Sequence, residues 1–170
     1  FQELLHDGLY WQSLINTLII LFVGGIIIFI IAFLFTAFFT SGIKGKKFFR
    51  AVIFFPNVVA PIALATFWSF LYNPRFGLIN GFFRLLHLDA LALTWTGPDL
   101  VFWSVLIALI WTYVGFYLII LLSGAEKIPQ DLYEVAKIEG ANRFQTFFKV
   151  TVPLIWDVLV VGLVLWIIGA

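Results

Sequence analysis

The chain has 170 residues, of which 63% are hydrophobic and 11% charged, with a net charge of +1 and a mean hydropathy of +1.09. A soluble domain of this length would lack the polar surface to cover such a core, so the class is integral membrane protein, and the near-neutral charge argues against a nucleic-acid partner. There is no Cys, and the two His residues, His6 and His87, lie far apart, so disulfides, redox motifs and thiolate or His-based metal sites are not expected.

Residues 1–13 mix Glu3 and Asp7 with Tyr10 and Trp11, whose rings suit a membrane interface, and contain no Lys or Arg. No basic stretch with a short apolar core and cleavage site opens the chain, and it ends within an apolar run. It reads as an internal stretch of a longer membrane protein. The first span is expected over residues 14–39. At about 1.5 Å per residue this is roughly 39 Å, so it tilts or protrudes from a hydrocarbon core of ~30 Å. Within it, Gly24-Gly25 fits close approach of a neighbouring helix, with a hinge as the alternative.

The loop at 40–50 carries Lys44, Lys46, Lys47 and Arg50 and no acid. Its G-x-x-G-K-K is not a Walker A loop, because Thr40 and Lys47 stand where Gly and Ser or Thr are required, leaving a basic loop. The second span, 51–72, is uncharged and contains Pro56 and Pro61, each of which removes an amide donor and predicts a bend. Asn57, between them, is either an interhelical hydrogen bonder or part of a solute path. In the loop at 73–100, Leu78, Ile79, Phe82, Phe83, Leu85 and Leu86 recur at helical spacing. The segment 77–88, about twelve residues, is too short to span and predicts a helix lying along the membrane surface. Residues 94–99 (T-W-T-G-P-D) are turn chemistry.

The third span, 101–122, carries Trp103, Trp111, Thr112, Tyr113 and Tyr117. Trp68, Trp111 and Tyr113 offer flat faces suited to sugar rings, and Asn57 and Thr112 offer hydrogen bonds, although aromatic residues in spans commonly serve packing. The fourth apolar run, 153–170, contains one charge, Asp157, near its end. A snorkelling or paired acid is the simpler reading there than a buried functional carboxylate.

Between the third and fourth runs lies the one long polar segment. Eight of the chain's nineteen charged residues fall between Glu126 and Lys149. Ile128-Pro129 opens a helix, with Pro in the first turn and Asp131 and Glu134 toward its N-terminal half. Leu132, Val135, Ala136 and Glu139 share one side, and Gly140 stands where a C-cap would reverse the chain. A second amphipathic helix follows, with Phe144, Phe147 and Phe148 on its apolar side, and Pro153 begins the next span. Small side chains at Val135 and Ala136 would let a partner surface approach closely.

Lys and Arg placement sets the orientation. The segments 40–50 and 126–149 hold eight of the ten, so they are expected on the cytoplasmic side, with 1–13 and 73–100 outside. Four crossings that begin and end outside imply a complete domain of about six spans.

Glu134-Val135-Ala136, three residues, Gly140, nine residues and Val150-x-Val152-Pro153 resembles the E-A-A-x-x-x-G-x9-I-x-L-P signature of binding-protein-dependent ABC importer permeases. Val135, Val150 and Val152 depart from the pattern but keep it apolar. W-Q-S-L-I-N-T-L (11–18), K-G-K-K-F-F-R-A-V-I-F-F-P (44–56), F-G-L-I-N (76–80) and L-S-G-A-E-K-I-P-Q-D-L-Y-E (122–134) are similar to the sugar and glycerol-phosphate branch. The resemblance covers nearly the whole chain.

It implies an all-α polytopic bundle of the type I importer permease kind, in the inner membrane of a prokaryote, moving a carbohydrate or related polar solute inward. The segment 126–150 would then couple to an ATPase: Glu134 would contact that subunit, Ala136 would permit close docking, Gly140 would form the turn, and Pro153 would pass the motion to the fourth span. The implied partners are two ATPase subunits that use ATP and Mg, a second and different permease subunit, and an external solute-binding protein. The chain itself would bind no cofactor and catalyse no reaction. From other classes, an ion-coupled secondary transporter would need a mid-membrane acid, for which Asp157 is the candidate, and a non-transporting scaffold would not need the Glu-to-Gly-to-Pro spacing.

Overall fold

A computed structural model describes residues 6–40 and 45–169; Glu3, the start of the basic loop including Lys44, and Ala170 lie outside this range. Among the described residues all regular structure is helical. The first helix starts earlier than the hydropathy suggests. α1 (Gly8–Ile19) is capped by Asp7, whose carboxylate accepts from the Leu9 amide at 2.9 Å, so the helix begins six residues before the expected span. It continues through a π turn (Ile20–Gly24) into α2 (Gly25–Thr40), 33 residues in all. This is about 50 Å of helix, well beyond a hydrocarbon core of ~30 Å.

The π turn lies at Gly24-Gly25 and has a partner. The Trp166 indole donates to the Leu21 carbonyl at 2.8 Å, and a Cβ added at Gly25 would collide with that indole nitrogen. Gly24 faces Leu106 and Trp166 in the same way, its would-be Cβ lying 3.2 Å from Leu106 Cδ1. The glycine pair therefore admits the large side chains of two neighbouring helices. Trp166→Phe loses the donor and the pyrrole part of a buried indole, and should cost about 2–4 kcal/mol, read as a lowered Tm of the detergent-solubilised protein.

The segment 51–72 is bent sharply at one of its two prolines. α3 (Lys46–Val58) and α4 (Pro61–Leu71) meet at an angle of 100°. The break falls just before Pro61, which takes the first position of α4, where its missing amide costs nothing and its ring keeps the preceding residue extended. Pro56 stays inside α3. α5 (Leu78–Leu85) is shorter than the expected 77–88 helix, and it ends as His87 takes a left-handed φ of 58°. Leu78, Phe82 and Leu85 on α5 are exposed, whereas Asn80 is 2% exposed.

α6 (Val101–Ala125) is the axis of the bundle, and α2 and α3 pack along it. Their core joins Ile28, Ala32 and Phe39 of α2 to Leu118, Leu121 and Leu122 of α6, with Ile155 and Leu159 from the last part of the chain. Contacts set the register: Gly24 meets Leu106, Phe29 meets Tyr117 and Phe33 meets Phe147. α2 and α6 thus run the same way, and α3 runs back from the end where Lys46 reaches Glu126. By length and composition two helices can cross a membrane, and up to four can if each bent pair counts as one span.

The fourth run also bends. The helical stretch 143–154 and α10 (Trp156–Gly169) meet at 72°, so the apolar helix starts after Ile155, not at Pro153. Pro153 sits in a three-residue helical turn, α9 (Val152–Leu154), preceded by a π turn (Phe147–Thr151). Lacking an amide hydrogen, it cannot donate to the turn before it, which places the disruption of the ladder here.

Candidate functional site

The polar segment folds into two short helices set against each other. α7 (Gln130–Ile138) follows Pro129, which holds the extended N-cap position rather than the first turn, and carries Asp131 at its start and Lys137 near its end, as the helix dipole favours. It stops at Gly140, φ +78°, in a Schellman arrangement: the Gly140 amide donates to the Lys137 carbonyl at 3.1 Å and the Ala141 amide to the Ala136 carbonyl at 2.9 Å. Two residues on, Asn142 and Gln145 form a reciprocal capping box that starts α8 (Arg143–Thr146), with both bonds at 2.9 Å. The N-x-x-Q spacing was a readable signal for that second start.

The inner face of α7 is not the one expected. Ala136, expected to admit a partner, is 7% exposed and buried within its own chain. Tyr133 reaches the π turn, its hydroxyl 3.2 Å from Thr151 Oγ1. This contact links residues eighteen apart in sequence and no local pattern announces it. The three phenylalanines also divide. Phe147 is buried against Phe33, while Phe144 and Phe148 are exposed and lie against each other with ring centres 4.5 Å apart. The outer surface therefore presents Leu132, Val135 and Ile138, the last 86% exposed, together with the Phe144–Phe148 pair. Glu134 is exposed on the same helix and makes no ion pair or side-chain hydrogen bond among the described residues. These apolar side chains stay exposed on two short helices whose ends are fixed by the Gly140 turn and the Asn142–Gln145 capping box.

Where α6 gives way to this segment stands Glu126. One of its carboxylate oxygens lies 3.4 Å from Lys46 Nζ and the other 3.0 Å from an Arg50 nitrogen, both from α3. Partial burial pushes this carboxyl up, but the hydrogen bonds and charges of Arg50 and Lys46 outweigh that and hold it below its ordinary value. The pair is therefore intact at neutral pH and weakens only as pH falls through that lowered value.

Of the five residues assigned from sequence to a solute path, Trp68 and Trp111 come together, and Tyr113 and Thr112 turn to other partners. Trp68 and Trp111 meet edge to face at 5.5 Å, and Trp68 stacks on Tyr72 at 5.0 Å. Tyr113 points away toward Trp166, and the Thr112 hydroxyl donates to the Ala108 carbonyl of its own helix. Asn57 is half-buried beside the break between α3 and α4 and makes no side-chain hydrogen bond among the described residues. The Trp68 indole nitrogen is buried and has no acceptor. A cleft of about 560 Å³ between α2, α3 and α6 has a predominantly apolar lining that includes Ile31, Ile53, Pro56 and Trp111.

Sequence reasoning missed the polar network at the far end of the bundle. Asn80 donates to the Leu93 carbonyl and accepts from the Trp95 indole, Ser104 donates to the Trp95 carbonyl, and Tyr72 donates to the Ser104 carbonyl, all at 2.8–2.9 Å. Asp157, the one charge of the fourth run, neighbours Val158, which packs on Gly124 in the last turn of α6. It lies level with the last turn of α6. Among the described residues no group of three His, Asp or Glu could hold a metal ion.

The family model for the binding-protein-dependent transport system inner membrane component matches residues 7–170. The probable ABC transporter permease protein YurN of Bacillus subtilis is 32% identical over 178 residues, covering 100% of this chain and 59% of the relative. The trehalose/maltose transport system permease protein MalF of Thermococcus litoralis is 35% identical over 162 residues, covering 95% and 54%. The chain thus spans a little over half the length of these relatives. A crystal structure of a bacterial ABC transporter involved in import of the acidic polysaccharide alginate superposes with a TM-score of 0.86 at 22% identity, over 98% of this chain and 58% of that one. The bacterial alginate transporter bound to its alginate pentasaccharide-loaded periplasmic protein gives 0.83, also at 22% identity, over the same shares.

Proposed function

We propose, since this chain belongs to the binding-protein-dependent transport system inner membrane component family, that it serves in the permease of an ATP-driven importer for a carbohydrate or related polar solute. The observation that carries this reading is the capped helix pair, which turns Val135, Ile138, Phe144 and Phe148 outward around Glu134 at the basic end of the bundle. We assign that surface to a cytoplasmic ATPase, with Glu134 and Val135 in the contact, Gly140 fixing the turn and Ala136 holding α7 to its own bundle. ATP and Mg would be used by two such ATPase subunits. A second, different permease subunit and an external solute-binding protein complete the assembly. The periplasmic protein bound to the alginate transporter and the trehalose/maltose system of the MalF relative support the last partner and the solute class.

ATPase closure would move α7, and the bend at Pro153 and Ile155 would carry that motion into α10, rocking the bundle between two states. Along the solute route, Trp68 and Trp111 supply ring faces, and the unpaired Trp68 indole N–H supplies a donor for a hydroxyl. Tyr113 faces Trp166 instead, and the Thr112 hydroxyl is bonded to the Ala108 carbonyl of its own helix.

Co-purification of the full-length protein with an importer ATPase subunit co-expressed from the same organism tests the reading. Val135→Asp places a charge in the centre of the exposed apolar patch and should weaken ATPase capture at least tenfold, about 1.4 kcal/mol, without lowering the yield of folded permease. Undiminished capture by Val135→Asp, or no capture by the parent, would sink the assignment.

A further inference from the structure

We infer that Glu126, clamped between Lys46 and Arg50, is a strut that carries motion of the coupling segment into α3, a second route beside the one through Pro153 and α10. The inference rests on the ATPase-coupling reading of 129–140. Three observations converge on it.

The carboxylate is placed at the exit of α6, as the helix's C-cap, three residues before Pro129. Any displacement of α7 relative to the bundle must pass this point. Its two oxygens engage different cations four residues apart on one face of α3, Oε1 with Lys46 and Oε2 with Arg50. A carboxylate held from two directions resists sliding along α3 as a single exposed pair would not. Glu126 is also the only acid that touches this basic patch among the described residues, where the side chains keep 28–45% of their exposure.

The far end of α3 is built to use such a push. Its middle is fixed on α6, because Gly115 lets the Ile53 backbone lie directly on the α6 backbone. Beyond this contact α3 ends at the 100° break before Pro61, and α4 then carries Trp68 onto Trp111. Load applied at Lys46 and Arg50, with a contact point at Ile53, tilts the end of α3 that bears Asn57 and the Trp68 helix. Glu126 acts here through α3 and touches no solute, so it is a positioning residue.

The test uses the full-length permease with its ATPase and binding protein in vesicles, in a cysteine-free background. Glu126→Gln should leave ATPase co-purification and basal ATP hydrolysis unchanged, while transport per ATP falls at least fivefold. The exchange Glu126→Arg with Arg50→Glu should recover most of that ratio, which ties it to the ion pair, while a merely structural role would lower yield and ATPase capture and leave transport per ATP unmoved. Arg50→Cys with Glu126→Cys, bridged by a bifunctional methanethiosulfonate, should transport when cross-linked and lose coupling when the bridge is reduced. That last arm decides the matter if Glu126→Gln fails to accumulate. Parental transport per ATP in Glu126→Gln, or a cross-linked protein that works only after reduction, overturns the strut while leaving the importer reading standing. Failure of the parent to hold any ATPase overturns both.

Discussion

Gly115→Leu should leave little folded permease in the membrane. The residue lies where α3 crosses α6, and a Cβ there would run into the Ile53 carbonyl oxygen, with the Ile53 carbonyl carbon and Phe54 Cα both 2.8 Å away. All three are backbone atoms, so no rotamer change can relieve the clash and α3 must lift off α6. In lipid the attraction between spans comes from close packing rather than escape from water, so separating two backbones removes most of what holds them together. Overpacking a site that can yield costs about 1–3 kcal/mol, and here the obstacle cannot yield, so the loss should reach or exceed that upper figure. Against a total stability of about 5–15 kcal/mol this is severe. Yield and monodispersity after detergent extraction measure it. Gly81→Ala is the matched control: nothing lies within 4 Å of its would-be Cβ, so it should be neutral or gain about 0.5–1 kcal/mol from helix propensity. Parental yield from Gly115→Leu would show that α3 does not lie on α6 in this way.

Gly140→Pro should abolish ATPase capture and transport, within a graded series. The residue holds φ +78° and its amide donates to the Lys137 carbonyl; proline can neither reach that φ nor make that bond. The reversal between α7 and α8 is then lost, and Leu132, Val135 and Ile138 no longer share a surface with Phe144 and Phe148. Space is not the issue, because nothing lies within 4 Å of a Cβ at this position. Asn, which tolerates the left-handed region, should retain most activity, and Ala should cost about 1 kcal/mol. Capture falling in the order Gly, Asn, Ala, Pro ties function to backbone conformation. Equal capture across the four would show that the turn does not organise the docking surface.

The class, the apolar runs and the polar segment between the third and fourth of them are legible in the order of residues alone. Those features are local: a charge-free stretch of twenty residues has one low-energy environment, and Gly140 between two periodic stretches has few uses besides a reversal. That order also carried the family, because the Glu134-to-Gly140-to-Pro153 spacing is read along the chain. What it could not decide were matters of direction and distance. Periodicity places Ala136 and Val135 on one side of α7, but only the packing of Tyr133 on Thr151 settles that Ala136 turns inward while Val135 stays out. Pro56 and Pro61 look equivalent in sequence, yet the chain breaks by 100° at the second and continues through the first, since Pro61 alone occupies a helix start. Trp68 and Trp111 meet and Tyr113 turns to Trp166 because two neighbouring positions on α6 face opposite sides. Glu126 with Lys46 and Arg50, contacts seventy-six and eighty residues long, exists only because α3 runs back along α6. A sequence fixes which groups are charged or apolar; which of them meet depends on helix register and crossing, and those are set by packing between segments far apart in the chain.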